Sequence, residues 1–229
     1  MGWMIQMLNS SLGRKYVMAL TGLFLCSFLV IHWFGNMLLY VPDNGKTFNT
    51  FTFSMEHNIL IRAMEYILFA GFIIHIIQSY TLTRQNQKAR PIPYIVVRNT
   101  NATPWYSRYM GILGALIFFF LVVHLRNFFW DLRFTDKITD DAQSEIINLY
   151  PEVISVFSIW YYDVIYAVGV IALGYHLWHG FQSAFRSLGI MHKKYTPAIV
   201  WIGKIYTVII TGGFLSMPVY FYLSQYLNK

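Results

Sequence analysis

The stretch "LVIHWFGNML", residues 29–38, sets the imidazole of His32 inside an otherwise apolar run. Hydrocarbon offers the two ring nitrogens nothing, so an imidazole there costs free energy unless something else engages it. The same pattern recurs in "FIIHIIQSY" (72–80), "FLVVHLRNF" (120–128) and "LGYHLWHGF" (173–181). Four apolar segments therefore each carry a histidine, His32, His75, His124 and His176, the last segment holding His179 as well.

The rest of the chain suits such segments. Of 229 residues, 56% are hydrophobic and 12% charged, with a mean hydropathy of +0.46. A soluble domain carries about a quarter charged residues, so composition reads as an integral membrane protein. Cys26 is the one cysteine, which excludes an internal disulfide and any CxxCH attachment of a c-type haem. The N-terminal "MGWMIQMLNSSLGRKYVMAL" leads into an apolar run too long for a signal peptide and lacks a small-residue cleavage site, so it is expected to stay as a first membrane helix. Five segments are long enough to cross roughly 30 Å of hydrocarbon. They lie near 15–40, 58–83, 108–130, 157–185 and 197–226, bounded by stretches such as "VPDNGKT", "TRQNQKARPIP" and "RFTDKITDDAQSE". Trp105, Trp130, Trp160 and Trp201 fall near their ends, as an interfacial belt requires. The expected fold is all-α: one domain, 1–229, forming an integral membrane bundle of five transmembrane helices.

Charge then orients the bundle. Arg14, Lys15, Arg84, Lys88, Arg90, Arg98, Arg108, Arg186, Lys193, Lys194 and Lys204 fall on the side of the N-terminus and the second and fourth loops. The acids Asp43, Glu56, Glu65, Asp131, Asp136, Asp140, Asp141, Glu145, Glu152 and Asp163 lie on the other side or in its half of the helices. The positive-inside rule puts the N-terminus in the cytoplasm. The net charge of +7 is thus a topology signal, with a docking surface for a cytoplasmic partner as a second use and nucleic acid disfavoured.

Depth separates the histidines into pairs. Counting from the cytoplasmic cations at 1.5 Å per residue, His32 and His124 lie roughly 27 and 24 Å in, His75 and His176 roughly 14 and 15 Å in. Two levels result, about 11 Å apart by the same count. Two imidazoles facing each other at one depth are what a bis-histidine haem needs, and with both axial positions filled the iron carries electrons only. Zinc would want three or four ligands at one point. A proton relay would want carboxylates at midplane, and none is there. Gly71, Gly180 and Gly35, close to ligands on their own helices, and Gly22 and Gly114, at the inner depth, would leave room for flat macrocycles, although glycine also serves helix packing. Arg62 and Arg126 face the outer end, as propionate partners or as snorkelling cations. His179 shares the face of His176 and suits a propionate or a quinone, with Arg186 beyond it. His57 lies at the outer entry of the second span, and His192 in a basic loop. The fifth span has no histidine; Gly212–Gly213 offer close approach and Pro218 a kink.

In the segments "SSLGRKYVMALTGLFL", "IHWFGNMLLY" with "FNTF", "HIIQSY", "HLRNFFWD" and "YHLWHGFQSAFRSLGI", the chain resembles the single-chain, five-helix dihaem cytochrome b subunit of succinate dehydrogenase and fumarate reductase, the type found with menaquinone. The resemblance implies two haem b groups, one held by His32 and His124, the other by His75 and His176; the glycine four residues after the fourth ligand selects His176 over His179. It implies a multi-pass subunit of the bacterial cytoplasmic membrane, bound on its cytoplasmic face to a flavoprotein subunit and an iron–sulfur subunit, with a dimer of whole complexes allowed for. Dicarboxylate chemistry would belong to those partners, because nothing in this chain binds flavin, clusters or succinate. An acidic residue near the outer quinone site is also implied, for which Glu56 and Glu65 are the candidates, with His57 beside them. Some relatives carry a glutamate two residues before the fourth ligand for a compensating proton; Gly174 stands there instead.

Three other readings compete. Quinol–cytochrome c oxidoreductases place two ligands on each of two helices, against one per helix here. Haem b anchors of hydrogenases and formate dehydrogenases differ chiefly in the electron donor. A transporter or structural bundle would use the histidines only to cross-link helices.

Overall fold

A computed structural model describes residues 2, 6, 10–89, 104–135 and 148–227. Arg90 and Arg98 of the basic side and Asp136, Asp140, Asp141 and Glu145 of the acidic side lie outside the described residues. The described residues are helical, without strands, and five helices are long and apolar enough to cross a membrane: Ser11–Tyr40, Ile59–Lys88, Met110–Phe134, Trp160–Ser187 and Thr196–Gln225. Their outward faces expose Ile31, Ile73, Phe119, Val168 and Ile205, the arrangement of a bundle solvated by lipid. The molecule is a multi-pass membrane protein.

Local chemistry explains the ends. Helix α1 (Ser11–Met37) starts where the Ser10 hydroxyl accepts from Gly13 N at 3.0 Å. Asn58 caps α3 (Ile59–Lys88) by accepting from Leu60 N and Ile61 N. That helix runs five residues past the apolar segment because Arg84, Gln85, Gln87 and Lys88 are all good helix formers. The third span starts as α4 (Met110–His124), after a single turn at Trp105–Arg108. It then passes through a π-helical turn at Leu125–Trp130 and ends at Phe134. Helix α6 (Trp160–Ser187) packs against α1, α4 and α7 (Thr196–Leu227), and α1 also packs against α3. Pro218 sits within α7 without ending it.

Two short helices between the spans, at one end of the bundle, escape a reading by hydropathy. Helix α2 (Lys46–Glu56), "KTFNTFTFSME", alternates threonine and phenylalanine and has little intrinsic helical preference. Its hydroxyls bond back to carbonyls four residues earlier, Thr50 to Lys46, Thr52 to Phe48 and Ser54 to Thr50. Asp43 precedes it and accepts from the hydroxyl and the backbone N–H of Thr47, and the hydroxyl bond above all holds the Asp43 carboxyl below the ordinary carboxylate range. A depressed value means that this stabilisation is present at neutral pH and is lost as acid titrates through it. Helix α5 (Tyr150–Phe157) lies opposite. Asn49 of α2 donates to the Asn148 side chain at 2.8 Å and accepts from Tyr150 N at 3.0 Å, joining the two.

Around that joint lies the main apolar cluster, including Leu39, Phe48, Val153, Phe157, Tyr166 and Phe221. It closes the end of the bundle that carries Asp43, Glu56, Asp131 and Glu152. The turn leading into α2 is tight: Gly45 has φ +81°, and a Cβ there would stand 2.1 Å from the Tyr150 ring. Both the left-handed backbone and the contact exclude a larger residue. Gly45→Ala is expected to cost about 2–3 kcal/mol through strain and overpacking. A clear drop in melting temperature of the detergent-solubilised protein would register it; an unchanged value would contradict the packing described.

Candidate functional site

The four histidines converge in two pairs. His32 of α1 and His124 at the end of α4 have ring centres 5.7 Å apart, with planes at 85°. His75 of α3 and His176 of α6 have ring centres 6.3 Å apart, with planes at 64°. His179 is not part of the second pair: its ring faces Tyr106 at 6.4 Å, beside Tyr175 and Trp105.

The levels are further apart than the count from surface charges suggested. Thr21 of α1 touches His75, and it lies eleven residues before His32. Tyr166 of α6 touches His124, and it lies ten residues before His176. Both helices therefore give a separation of roughly 15 Å. Counting from Arg14, Arg84, Arg108 and Arg186 treats these cations as one plane, which snorkelling side chains do not define.

Each pair has its own surroundings. Phe120, Phe128 and Tyr166 pack on the His124 ring, and Phe28 and Phe214 on His32. Asn36 reaches the Nδ1 of His32 at 3.4 Å, within the same helix. The Nδ1 atoms of His124 and His176 are buried without a hydrogen-bond partner. His75 meets the Thr21 hydroxyl through Nδ1 at 3.1 Å. No hydrogen bond among the described residues engages the Nε2 of any of the four.

Neither level therefore spends an Nε2 on a hydrogen bond among these residues. A metal–imidazole bond of about 2 Å on either side, plus roughly an ångström from each nitrogen to its ring centre, spaces two ring centres about 6 Å apart. The observed 5.7 and 6.3 Å agree. Among the described residues no three His, Cys, Asp or Glu side chains converge, so each level offers a metal two protein ligands. This donor set fits an iron whose remaining ligands come from a macrocycle.

The glycines divide by role. Space opens at Gly114, and Gly180 has only the His176 ring, at 4.0 Å. A Cβ at Gly22 would stand 3.3 Å from the His75 ring. Gly71 instead admits Phe24, Gly35 admits Phe51, and Gly213 admits Trp33, so these serve packing. Gly174 faces Thr211.

At the outer end the expected polar residues meet a partner that hydropathy did not single out. Arg133, just past the π turn, donates to Glu56 of α2 and, at 2.8 Å, to Glu65 of α3. Arg62 adds a 3.1 Å bond to Glu65. Arg126 pairs with Asp131 at 2.8 Å, the acid being 3% exposed. His57 stays exposed, stacked on Phe53 with its Nδ1 3.0 Å from the Phe53 carbonyl. Glu65 lies one turn from Phe69, which with Phe129, Trp130 and Arg126 lines an apolar groove of about 360 Å³ open toward lipid. Arg186 is exposed at the opposite end. His192 is engaged locally, its Nδ1 accepting from Lys194 N at 3.2 Å.

Comparisons with protein-family models, curated proteins and solved structures found no match for this chain.

The Arg133 side chain is 13% exposed and its two acids 20 and 22%. Removing the guanidinium leaves Glu56 without its arginine and Glu65 with Arg62 alone, while removing one acid leaves Arg133 a partner. Arg133→Met should therefore destabilise by about 3 kcal/mol and exceed Glu56→Gln, measured as loss of melting temperature in detergent. Equal effects would mean that the two pairs act separately.

Proposed function

We propose that this chain is the dihaem cytochrome b membrane anchor of a succinate:quinone oxidoreductase, passing electrons between cytoplasmic partner subunits and menaquinone. The observation that carries the reading is the meeting of four histidines, one per helix, in two pairs of matching spacing. His32 and His124 would hold one haem b, and His75 and His176 the other. Haem so ligated supplies reversible one-electron carriage with no open coordination position.

The chain's own residues do the rest. The imidazoles set the two levels roughly 15 Å apart along the helices. Helices α2 and α5 seal the outer pair from water with Phe48, Val153 and Phe157. The N-terminus and the basic ends of α1, α3 and α6 would face the cytoplasm of a bacterium, where the positive-inside rule puts them. There they would meet a flavoprotein and an iron–sulfur subunit, which carry the dicarboxylate chemistry. Electrons from that side reach the His75/His176 level first. A quinone ring at the outer level would exchange protons with Glu65 or Glu56, and its isoprenoid tail suits the groove beside Phe69 and Phe129. Arg62, Arg126, His179 and Arg186 remain the candidate propionate partners, of which Arg62 and Arg126 already pair with acids.

A reduced-minus-oxidised spectrum of the purified chain should show two low-spin b centres. His75→Ala or His176→Ala should remove one centre, and His32→Ala or His124→Ala the other. A chain without haem, or retention of both centres in His176→Ala with loss in His179→Ala, would overturn the assignment. Copurifying subunits and the donor that reduces the haems separate a succinate-linked anchor from a hydrogenase or formate dehydrogenase type. Within the succinate-linked complex, Glu65→Gln should lower quinone turnover several-fold while succinate oxidation by a soluble acceptor persists.

A further inference from the structure

The Thr21 hydroxyl has one proton, and it is spent inside α1: Oγ1 lies 2.8 Å from the Val17 carbonyl and 3.1 Å from that of Met18. What remains on Oγ1 is acceptor capacity. Its partner across the helix interface is the Nδ1 of His75, 3.1 Å away, so the hydrogen bond runs from His75 Nδ1–H to Thr21 Oγ1. That direction fixes the tautomer and leaves the Nε2 of His75 with its lone pair free. The next residue, Gly22, brings bare backbone against the same ring, where a Cβ would stand 3.3 Å from Cε1. One turn of α1 thus holds the ring by a nitrogen and bounds it at an edge.

We propose that Thr21 is a positioning residue for the inner haem ligand His75, fixing its tautomer and strengthening its donor nitrogen. The proposal rests on the dihaem reading above. Among the described residues His75 is the one member of the four whose Nδ1 bonds a side chain of another helix; His32 reaches only its own helix, and the Nδ1 atoms of His124 and His176 are buried without partners. An acceptor on Nδ1–H makes the other nitrogen more basic, and outer partners of this kind change metal affinity by roughly 10–100-fold when removed. A more basic imidazole favours the ferric over the ferrous state, so Thr21 lowers the potential of the inner centre relative to the same site without it.

Thr21→Val keeps the shape and removes the acceptor, whereas Thr21→Ser keeps the acceptor. The full complex in detergent is titrated potentiometrically, and haem loss to an excess of a haem-scavenging apoprotein is timed. Thr21→Val should move the His75/His176 centre to more positive potential, speed its haem loss by about tenfold, and leave the His32/His124 centre where it was. Thr21→Ser should restore both properties. If Thr21→Val fails to accumulate, Thr21→Ala against Thr21→Ser is judged by the same outcomes. A variant that titrates like the parent, a serine that behaves like valine, or equal movement of both centres would overturn the proposal and leave Thr21 a plain helix cross-link. A parent complex that purifies without haem would instead remove the reading on which it rests.

Discussion

An imidazole between apolar helices carries two nitrogens that lipid cannot satisfy, and the architecture follows from answering both. One nitrogen of His75 is answered by the Thr21 hydroxyl, from the helix that packs alongside. Each of the four rings stands opposite a second imidazole on another helix, with ring centres 5.7 and 6.3 Å apart. Because each pair joins two different helices, α1 with α4 and α3 with α6, none of these four spans can slide along its partner without separating the paired rings. Helix α6 must then touch α1, α4 and α7 together, and its small residues permit it: Gly169 takes the Phe120 ring and Gly174 takes Thr211. Packing in the bundle serves the rings as much as the reverse.

The two ends of the bundle solve different problems. At the outer end, α2 and α5 build a compact apolar core of the kind water-soluble domains have, joined by Asn49 and stacked through Phe157 and Phe221, whose ring centres are 6.3 Å apart. Burying the outer pair under this cap lowers the local dielectric and keeps water from the imidazoles. The opposite end has no such cap among the described residues. It offers aromatic rings, Trp105, Tyr106 and Tyr175, next to His179, and Lys204 lies over Trp178 and Trp201.

What the sequence made legible follows the length scale of its signals. Five spans announce themselves because roughly twenty apolar residues in a row have few other readings, and the observed boundaries fall within a few residues of expectation apart from the polar extension of α3. The histidine pairs were legible because one residue per span at two depths is a long-range pattern that helical rise converts into position. Helices α2 and α5 were not, because Thr50, Thr52 and Ser54 suit strands and turns by propensity and become helical through back-bonding and contact with the bundle. Arg133 was missed for a similar reason. Its neighbours in sequence read as a polar loop, and only tertiary contact shows that its guanidinium gathers Glu56 and Glu65. Thr21 gave no signal at all, since threonine is ordinary in a membrane helix until its neighbour is known.

The π-helical turn at Leu125–Trp130 connects these observations. One residue inserted into an α-helix turns the chain beyond it by about 100°. Before the turn, α4 must present His124 to His32 and Tyr166, on α1 and α6. Just after it, the same span must present Arg133 to Glu65 and Glu56, on α3 and α2. A regular helix fixes the angle between positions 124 and 133 by their separation alone. The inserted residue releases that constraint, letting the ligand turn and the charged turn each face its own partners. The cost is a disturbed backbone ladder, and the side chains around it compensate. Asn127 is buried and reaches the Tyr166 hydroxyl at 3.4 Å, while Asp131 is buried and draws Arg126 back along the turn at 2.8 Å. That turn follows His124 directly, so the same span carries the histidine and, nine residues on, the arginine that meets the two acids.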